Sequence, residues 1–235
     1  MMDRFTENCM VCGKPLVYCV TAQTKNCCIC GAKGSAASFC EDEHYVCDTC
    51  HAEKGVLLIN SETRKIASRN PVKIATGLMQ NEEINMHGPE HHFLVVASLL
   101  AAYKNAGGQI DLEIALQSAL QRAKNVPGGV CGMWGSCGAG IASGIFASIV
   151  TGATPLSERE WSLANKMTTQ SLAVISENGG PRCCKRNSYL AIYQAAMFAK
   201  ENFSITLELP ERIVCAFSHR NVQCRKDRCL FYAER

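Results

Sequence analysis

The sequence predicts a mainly α-helical bundle preceded by a small β-rich zinc-binding module of the cross-brace or ribbon type. Three observations carry this. Six cysteines and a histidine fall within the twenty-four residues Cys27 to Cys50, behind a Cys9-x2-Cys12 pair. Residues 61–235 then turn rich in Ala and Leu at helical spacing over most of their length. The later cysteines arrive at glycine-rich breaks between those helices and in a short cysteine-bearing tail.

Sixteen cysteines would suit a disulfide scaffold if the chain were short and secreted, but it has 235 residues. The opening MMDRFTENC has no apolar core of a signal peptide, and the longest apolar run, Phe93 to Tyr103, is about half of the ~20 residues that span a bilayer. A reducing cytoplasm is the expected location, where so many thiols serve metals or redox chemistry. The formal charge of +3 is too slight to argue for nucleic acid. Neither nucleic acid nor membrane is an expected partner.

Residues 1–60 hold nine of the sixteen cysteines among Gly, Ser and Asp, with only short apolar runs. Such a stretch cannot build a hydrophobic core, so ligation must supply its folding energy. The spacing Cys27-x2-Cys30-x9-Cys40-x3-His44-x2-Cys47-x2-Cys50 resembles the first six ligands of a cross-brace zinc finger of the RING type. That resemblance puts Cys27, Cys30, Cys47 and Cys50 on one Zn²⁺, and a plain two-knuckle ribbon uses the same four thiolates. A second Zn²⁺ takes Cys40 and His44, completed by Cys9 and Cys12, with His51 as the alternative nitrogen ligand. Cys19 and Cys28 fall outside the pattern. The module either holds only its own fold or docks a partner protein.

The helices follow in order. Asn70-Pro71 supplies an N-cap and a first-turn proline for a helix through Met79. Pro89 opens a second, with Leu94, Ala97, Ser98, Ala101 and Ala102 on one face, and Gly107-Gly108 ends it. Asp111 caps a third that places Leu112, Ala115, Leu116, Ala119, Leu120 and Ala123 on one stripe, stopped by Pro127-Gly128-Gly129. A fourth, Cys137 to Val150, consists of Gly, Ala and Ser spaced by Ile and Phe, which predicts the central buried helix. Ser157-x2-Glu160 is a capping box for a fifth, running to Glu177, and a sixth follows Asn187. The tail alternates through Ile205, Leu207 and Leu209, then Ile213, Cys215 and Phe217, as expected of a short β-hairpin.

Cys131, Cys137, Cys183, Cys184, Cys224 and Cys229 are the candidate ligands of a [4Fe–4S] cluster, of which at most four are needed. Glycines beside them let backbone approach a bulky group, and helix starts favour anionic sulfur. Arg182, Lys185, Arg186, Arg220, Arg225, Lys226 and Arg228 crowd the same positions and offset the negative charge of a thiolate-bound cluster or hold an anionic substrate. The competing readings are a third zinc site, buried free cysteines or a thiol/disulfide pair. A surplus sulfur, Cys183 or Cys184, is expected as a reactive thiolate kept ionised by Arg182 and Lys185. His87-Gly88-Pro89-Glu90-His91-His92 holds half of the six histidines, and Glu90, His91 and His92 are candidates for proton transfer or metal ligation.

Two resemblances attach to these residues. Cys137-Gly138-Ala139-Gly140-Ile141-Ala142-Ser143-Gly144, followed by Cys183-Cys184, is similar to redox-active proteins named for a C-GCAxxG-C-C pattern, over roughly residues 90–200. Nearly the whole chain resembles an uncharacterised cysteine-rich family of methanogens and anaerobic bacteria. The matching stretches are His44 to His51, His87 to His92, Gly128 to Ala139 and Gly179 to Arg186, with Cys215, Cys224 and Cys229 closing the chain. That resemblance implies an architecture and sites rather than a reaction, and some relatives beside or fused to methyltransferase domains imply such an enzyme as partner.

The functional expectation is a cytoplasmic metalloprotein with two zinc sites and a [4Fe–4S] cluster, engaged in redox or sulfur chemistry on a small anionic substrate. The alternative is a non-catalytic accessory or metal-delivery protein that docks through its zinc module onto a methyltransferase or redox enzyme.

Overall fold

The structure, a computed structural model, is described for residues 8–234. The signal-peptide reading of the N-terminus rests mainly on residues outside that range. Among the described residues there are eight helices and one two-stranded antiparallel sheet. None of these helices is long and apolar enough to cross a membrane.

Strands β1 (Leu16–Asn26) and β2 (Lys33–Cys40) pair from Leu16 against Cys40 to Asn26 against Lys33, with an irregularity between Tyr18 and Gln23. Their connecting turn is the Cys27–Cys30 knuckle, and β2 ends on Cys40. Helix α1 (Asp48–Thr63) starts from Cys47 and carries Cys50 in its first turn. It runs unbroken through residue 60 and buries Ile59 in the helical core. The metal-rich segment is thus joined to the bundle by a continuous helix.

Helix α2 (Pro71–Met79) begins where expected, with the Asn70 side chain accepting from the Lys73 N–H at 2.9 Å. Helix α3 (Glu90–Asn105) follows, then α4 (Leu112–Ala123), whose Asp111 cap accepts from the Ile114 N–H at 3.0 Å. A short α5 (Val130–Met133), α6 (Gly138–Thr151), α7 (Arg159–Glu177) and α8 (Cys184–Phe203) complete the bundle.

The centre is α3 rather than the small-residue helix that the sequence singled out. Fourteen of the sixteen residues of α3 are buried, and it packs against α1, α2, α4, α6 and α8. A helix buried all round is a central one. Two glycines of α6 let α7 approach closely instead: a Cβ at Gly140 would meet Leu172 and one at Gly144 would meet Thr168, both on α7.

Three local expectations are corrected. Ser157 turns back to accept the Thr154 N–H at 3.0 Å, so the capping box does not form and α7 starts without a side-chain cap. Helix α8 begins at Cys184, not after Asn187, because Cys183 itself caps it by accepting the Arg186 N–H at 3.4 Å. The tail forms no strand among the described residues. It wraps the bundle as loops and two 3-10 turns, Ser218–Arg220 and Lys226–Arg228, with Leu207, Ile213, Phe217 and Phe231 as apolar anchors.

Candidate functional site

The N-terminal ligands form two tight sets, Cys9, Cys12, Cys40 and His44, and Cys27, Cys30, Cys47 and Cys50, each with donor atoms within 4.8 Å of one another. A tetrahedral ion with Zn–S bonds of about 2.3 Å places its sulfurs ~3.8 Å apart. The Sγ atoms of Cys12 and Cys40 lie 3.7 Å apart, and those of Cys30 and Cys47 lie 3.8 Å apart. His44 Nδ1 stands 3.5 Å from Cys40 Sγ. Taken in chain order, the first pair joins the third and the second joins the fourth, which is cross-brace connectivity. His51 belongs to neither set.

Each leading cysteine is held by the turn that follows it. The Val11 N–H donates to Cys9 Sγ at 3.4 Å, and the Ile29 N–H donates to Cys27 Sγ at 3.5 Å. Burial works against ionisation of Cys27, yet the N–H donors of Cys30, Cys47 and Ile29 outweigh it and bring the thiol down to about 6. Burial and neighbouring sulfurs push Cys50 the other way. A cation is what lets all four ionise together.

The later sulfurs do not converge on one point. Cys131, Cys137 and Cys184 line a cleft of about 410 Å³ between the hairpin and the bundle. Cys183 faces a separate, smaller cavity with Cys224, Cys229 and Cys215, the last named in the resemblance but not among the expected cluster ligands. Adjacency explains the split: Cys183 is the cap of α8 and Cys184 its first residue, so the two side chains leave in different directions.

The first turns of four helices of fourteen or more residues open onto the large cleft. Asp48 and His51 bring α1, His91 and His92 bring α3, Cys137 and Gly138 bring α6, and Cys184 and Asn187 bring α8. The N-terminal ends of their macrodipoles bias the cleft toward anions, against the one carboxylate on its wall, Asp48. Arg182 adds a full charge on the wall, its guanidinium 5.8 Å from the Tyr18 ring of β1. Asn187 Nδ2 donates to Cys137 Sγ at 3.3 Å.

The three histidines differ in kind. His87 is closed, with Nε2 3.3 Å from Asn221 Oδ1 and Nδ1 accepting a long 3.5 Å bond from the Cys184 N–H. His91 and His92 each place Nδ1 3.1 Å from a backbone carbonyl, of Gly88 and Val126 respectively. A carbonyl only accepts, so in both rings Nδ1 carries the proton and Nε2 keeps its lone pair. Imidazoles that bind metals have their other ring nitrogen held in the same way. Burial lowers both rings, His92 to about 4, which keeps His92 neutral at pH 7. His91 Nε2 is buried without a hydrogen-bond partner, and His92 lies so close to Gly138 that any side chain there would strike its ring.

Glu90 stands behind the histidines rather than on the cleft wall. It is fully buried, accepts the Asn85 N–H at 3.1 Å, and lies 3.7 Å from His51 Nδ1 and 3.5 Å from His91 Nδ1. Burial opposes its charge, but the two histidines hold it below the usual carboxylate range. Glu90 therefore stands where it can position His91 and His51 from behind the cleft. The expected thiolate at the vicinal pair is also reversed: burial pushes Cys184 up to about 12 and raises Cys183, outweighing the nearby cations. Sequence reasoning missed Asp48, which pins the α5 loop by accepting the Gly128 N–H at 2.7 Å.

The fold and these sites define a cysteine-rich, mainly helical protein with two sets of side chains that could hold metal ions. The chain belongs to a family of unknown function, DUF5714, whose model matches residues 59–232. Both N-terminal metal sets precede the matched residues, whereas the cleft sulfurs and the tail sulfurs lie within them. No curated protein and no solved structure matches the chain.

Proposed function

We propose that this chain is a metalloprotein whose N-terminal module folds on two zinc ions and whose cleft holds a [4Fe–4S] cluster through Cys131, Cys137 and Cys184, for redox or sulfur chemistry on a small anionic substrate. The observation that carries the reading is the meeting of three thiols with four helix N-termini on one cleft. Three protein sulfurs leave one iron for an outside ligand, and a cluster so held binds an electronegative atom as a Lewis acid and transfers single electrons. Its negative charge is offset by the helix N-termini and Arg182. Burial keeps the free Cys184 thiol protonated, so it would serve as a thiolate ligand only where a bound metal offset that cost.

His91 and His92 present Nε2 lone pairs to the same region and accept protons or hydrogen bonds there. The resemblance to families of methanogens and anaerobic bacteria supports an oxygen-free setting. The protein should be purified anaerobically and assayed for zinc, iron and acid-labile sulfide, with Cys131→Ser, Cys137→Ser and Cys184→Ser alongside. Wild type is expected to hold about two zincs and labile sulfide, and each variant to lose about four irons. Zinc alone, with no labile sulfide after reconstitution, would overturn the reading. A cluster whose spectrum ignores added small anions would instead favour the accessory role.

A further inference from the structure

We infer that Cys183, Cys215, Cys224 and Cys229 form a second metal centre, a closed iron–sulfur cluster held by four thiolates behind the cleft. The inference does not depend on the cleft reading. These four sulfurs line one cavity together with Met86, Phe217 and Phe231. Cys183 lies 32 to 46 positions before the other three, which sit in a tail loop closed by the Cys215 N–H donating to the Phe231 carbonyl at 2.7 Å.

Their local geometry is that of ligands. The Phe217 N–H donates to Cys215 Sγ at 3.4 Å and the Lys226 N–H donates to Cys224 Sγ at 3.4 Å, each from two residues downstream. The same contact at the same spacing holds Cys9 and Cys27 in the zinc sets. Cys183 accepts from the Arg186 N–H at 3.4 Å and from Asn221 Nδ2 at 3.6 Å. Packed free thiols need no such donors, whereas N–H···S bonds to a cluster's sulfurs stabilise their charge and set its potential. All four are free cysteines.

The charge balance agrees. Arg186 is buried, donating Nη2 to the Gly179 carbonyl at 2.7 Å and the Pro181 carbonyl at 3.0 Å, and it lines the cavity with Arg225. Arg225 also donates to the Asn178 carbonyl. Two cations beside four thiols are costly to gather unless the thiols carry charge, which a bound metal centre provides.

Spacing selects a cluster over a single ion. Among the described residues, only the two N-terminal sets bring three or more donors within 4.8 Å of one another. The tail sulfurs therefore do not stand at the spacing of one tetrahedral ion, and a multi-iron core, which bonds its ligands at separate corners, is the centre we assign to them.

The test is on the full chain, reconstituted anaerobically with iron and sulfide. Cys215→Ser and Cys229→Ser are each expected to remove about four irons and four sulfides while both zincs stay. Loss of a zinc instead, or an unchanged iron and sulfide content, would overturn the proposal. Cys131→Ser separates the two centres: iron lost there but kept in Cys215→Ser removes the tail centre, and the converse removes only the cleft reading. Should the tail variants misfold, the wild type decides. Alkylation mapped by mass spectrometry, before and after ferricyanide destroys the clusters, should show Cys183, Cys215, Cys224 and Cys229 protected only while iron is present. Equal labelling of all four in both states would refute the centre.

Discussion

The N-terminal module and the sulfur sites of the bundle both gather cysteines, but over different lengths of chain and by different means. In the module, eight ligands between Cys9 and Cys50 are arranged by two-residue knuckles and one hairpin, and their sulfurs sit at the spacing of a single ion. In the bundle, sulfurs from residue 131 to residue 229 are placed by helix starts and tail loops packed around α3. Ligation would have to hold the first region, whereas a hydrophobic core holds the second. The two should therefore fail independently.

The strongest way to break that comparison is to withdraw zinc. Structural zinc sites contribute apparent binding free energies of about 10–16 kcal/mol in small fingers at pH 7. Cys47→Ser, or a chelator, should open the hairpin and the knuckles, seen as loss of amide exchange protection over residues 9–47. Helices α2 to α8 should keep their far-ultraviolet circular dichroism. A cooperative loss of the whole helical signal would show that the module is part of the same folding unit, as the continuous α1 would permit.

The second prediction works from the opposite side. Gly138→Ala puts a methyl group against the His92 ring, which cannot retreat without leaving the Val126 carbonyl. Overpacking of this kind costs about 1–3 kcal/mol. The cleft centre should bind less iron per chain while zinc stays at the wild-type level. Gly144→Ala applies a similar cost at the α6–α7 contact through Thr168. For a chain of this size it should lower Tm by about 2–4 °C per kcal/mol, with both metal inventories unchanged. A changed iron content in Gly144→Ala but not in Gly138→Ala would place the control of the cleft in the bundle's packing rather than at His92.

The same contrast decides what could be read from the sequence. Both N-terminal sets were legible from spacing and the cross-brace resemblance, because a CxxC turn fixes two thiolates without help from the rest of the fold. Caps at Asn70 and Asp111 were legible for the same reason. The partition of the later sulfurs was not: Cys183 and Cys184 are neighbours in sequence, and only the start of α8 sends them to different cavities. Cys215 sits in an irregular tail whose weak alternation resembles a strand, so its role depended on a loop closure that no local pattern encodes. The small residues of α6 marked a close neighbour correctly but said nothing of which helix lay at the centre, since all-round burial shows in α3 only as a run of apolar residues that also fits other arrangements.

The smallest effect supplies the cleanest control. Asp111 accepts the Ile114 N–H at the exposed start of α4, a helix whose first turn reaches neither the cleft nor the tail cavity. Asp111→Ala removes a cap worth ~1 kcal/mol and leaves every ligand untouched. Tm should fall by a few degrees, while zinc, iron and sulfide per chain match wild type. If so small a loss, made so far from any sulfur, reduced iron but spared zinc, the clusters would be read as marginal passengers of bundle stability. If it reduced neither, the iron losses in the cysteine variants can be assigned to ligation itself, because a destabilised bundle with all its sulfurs in place still holds its metal.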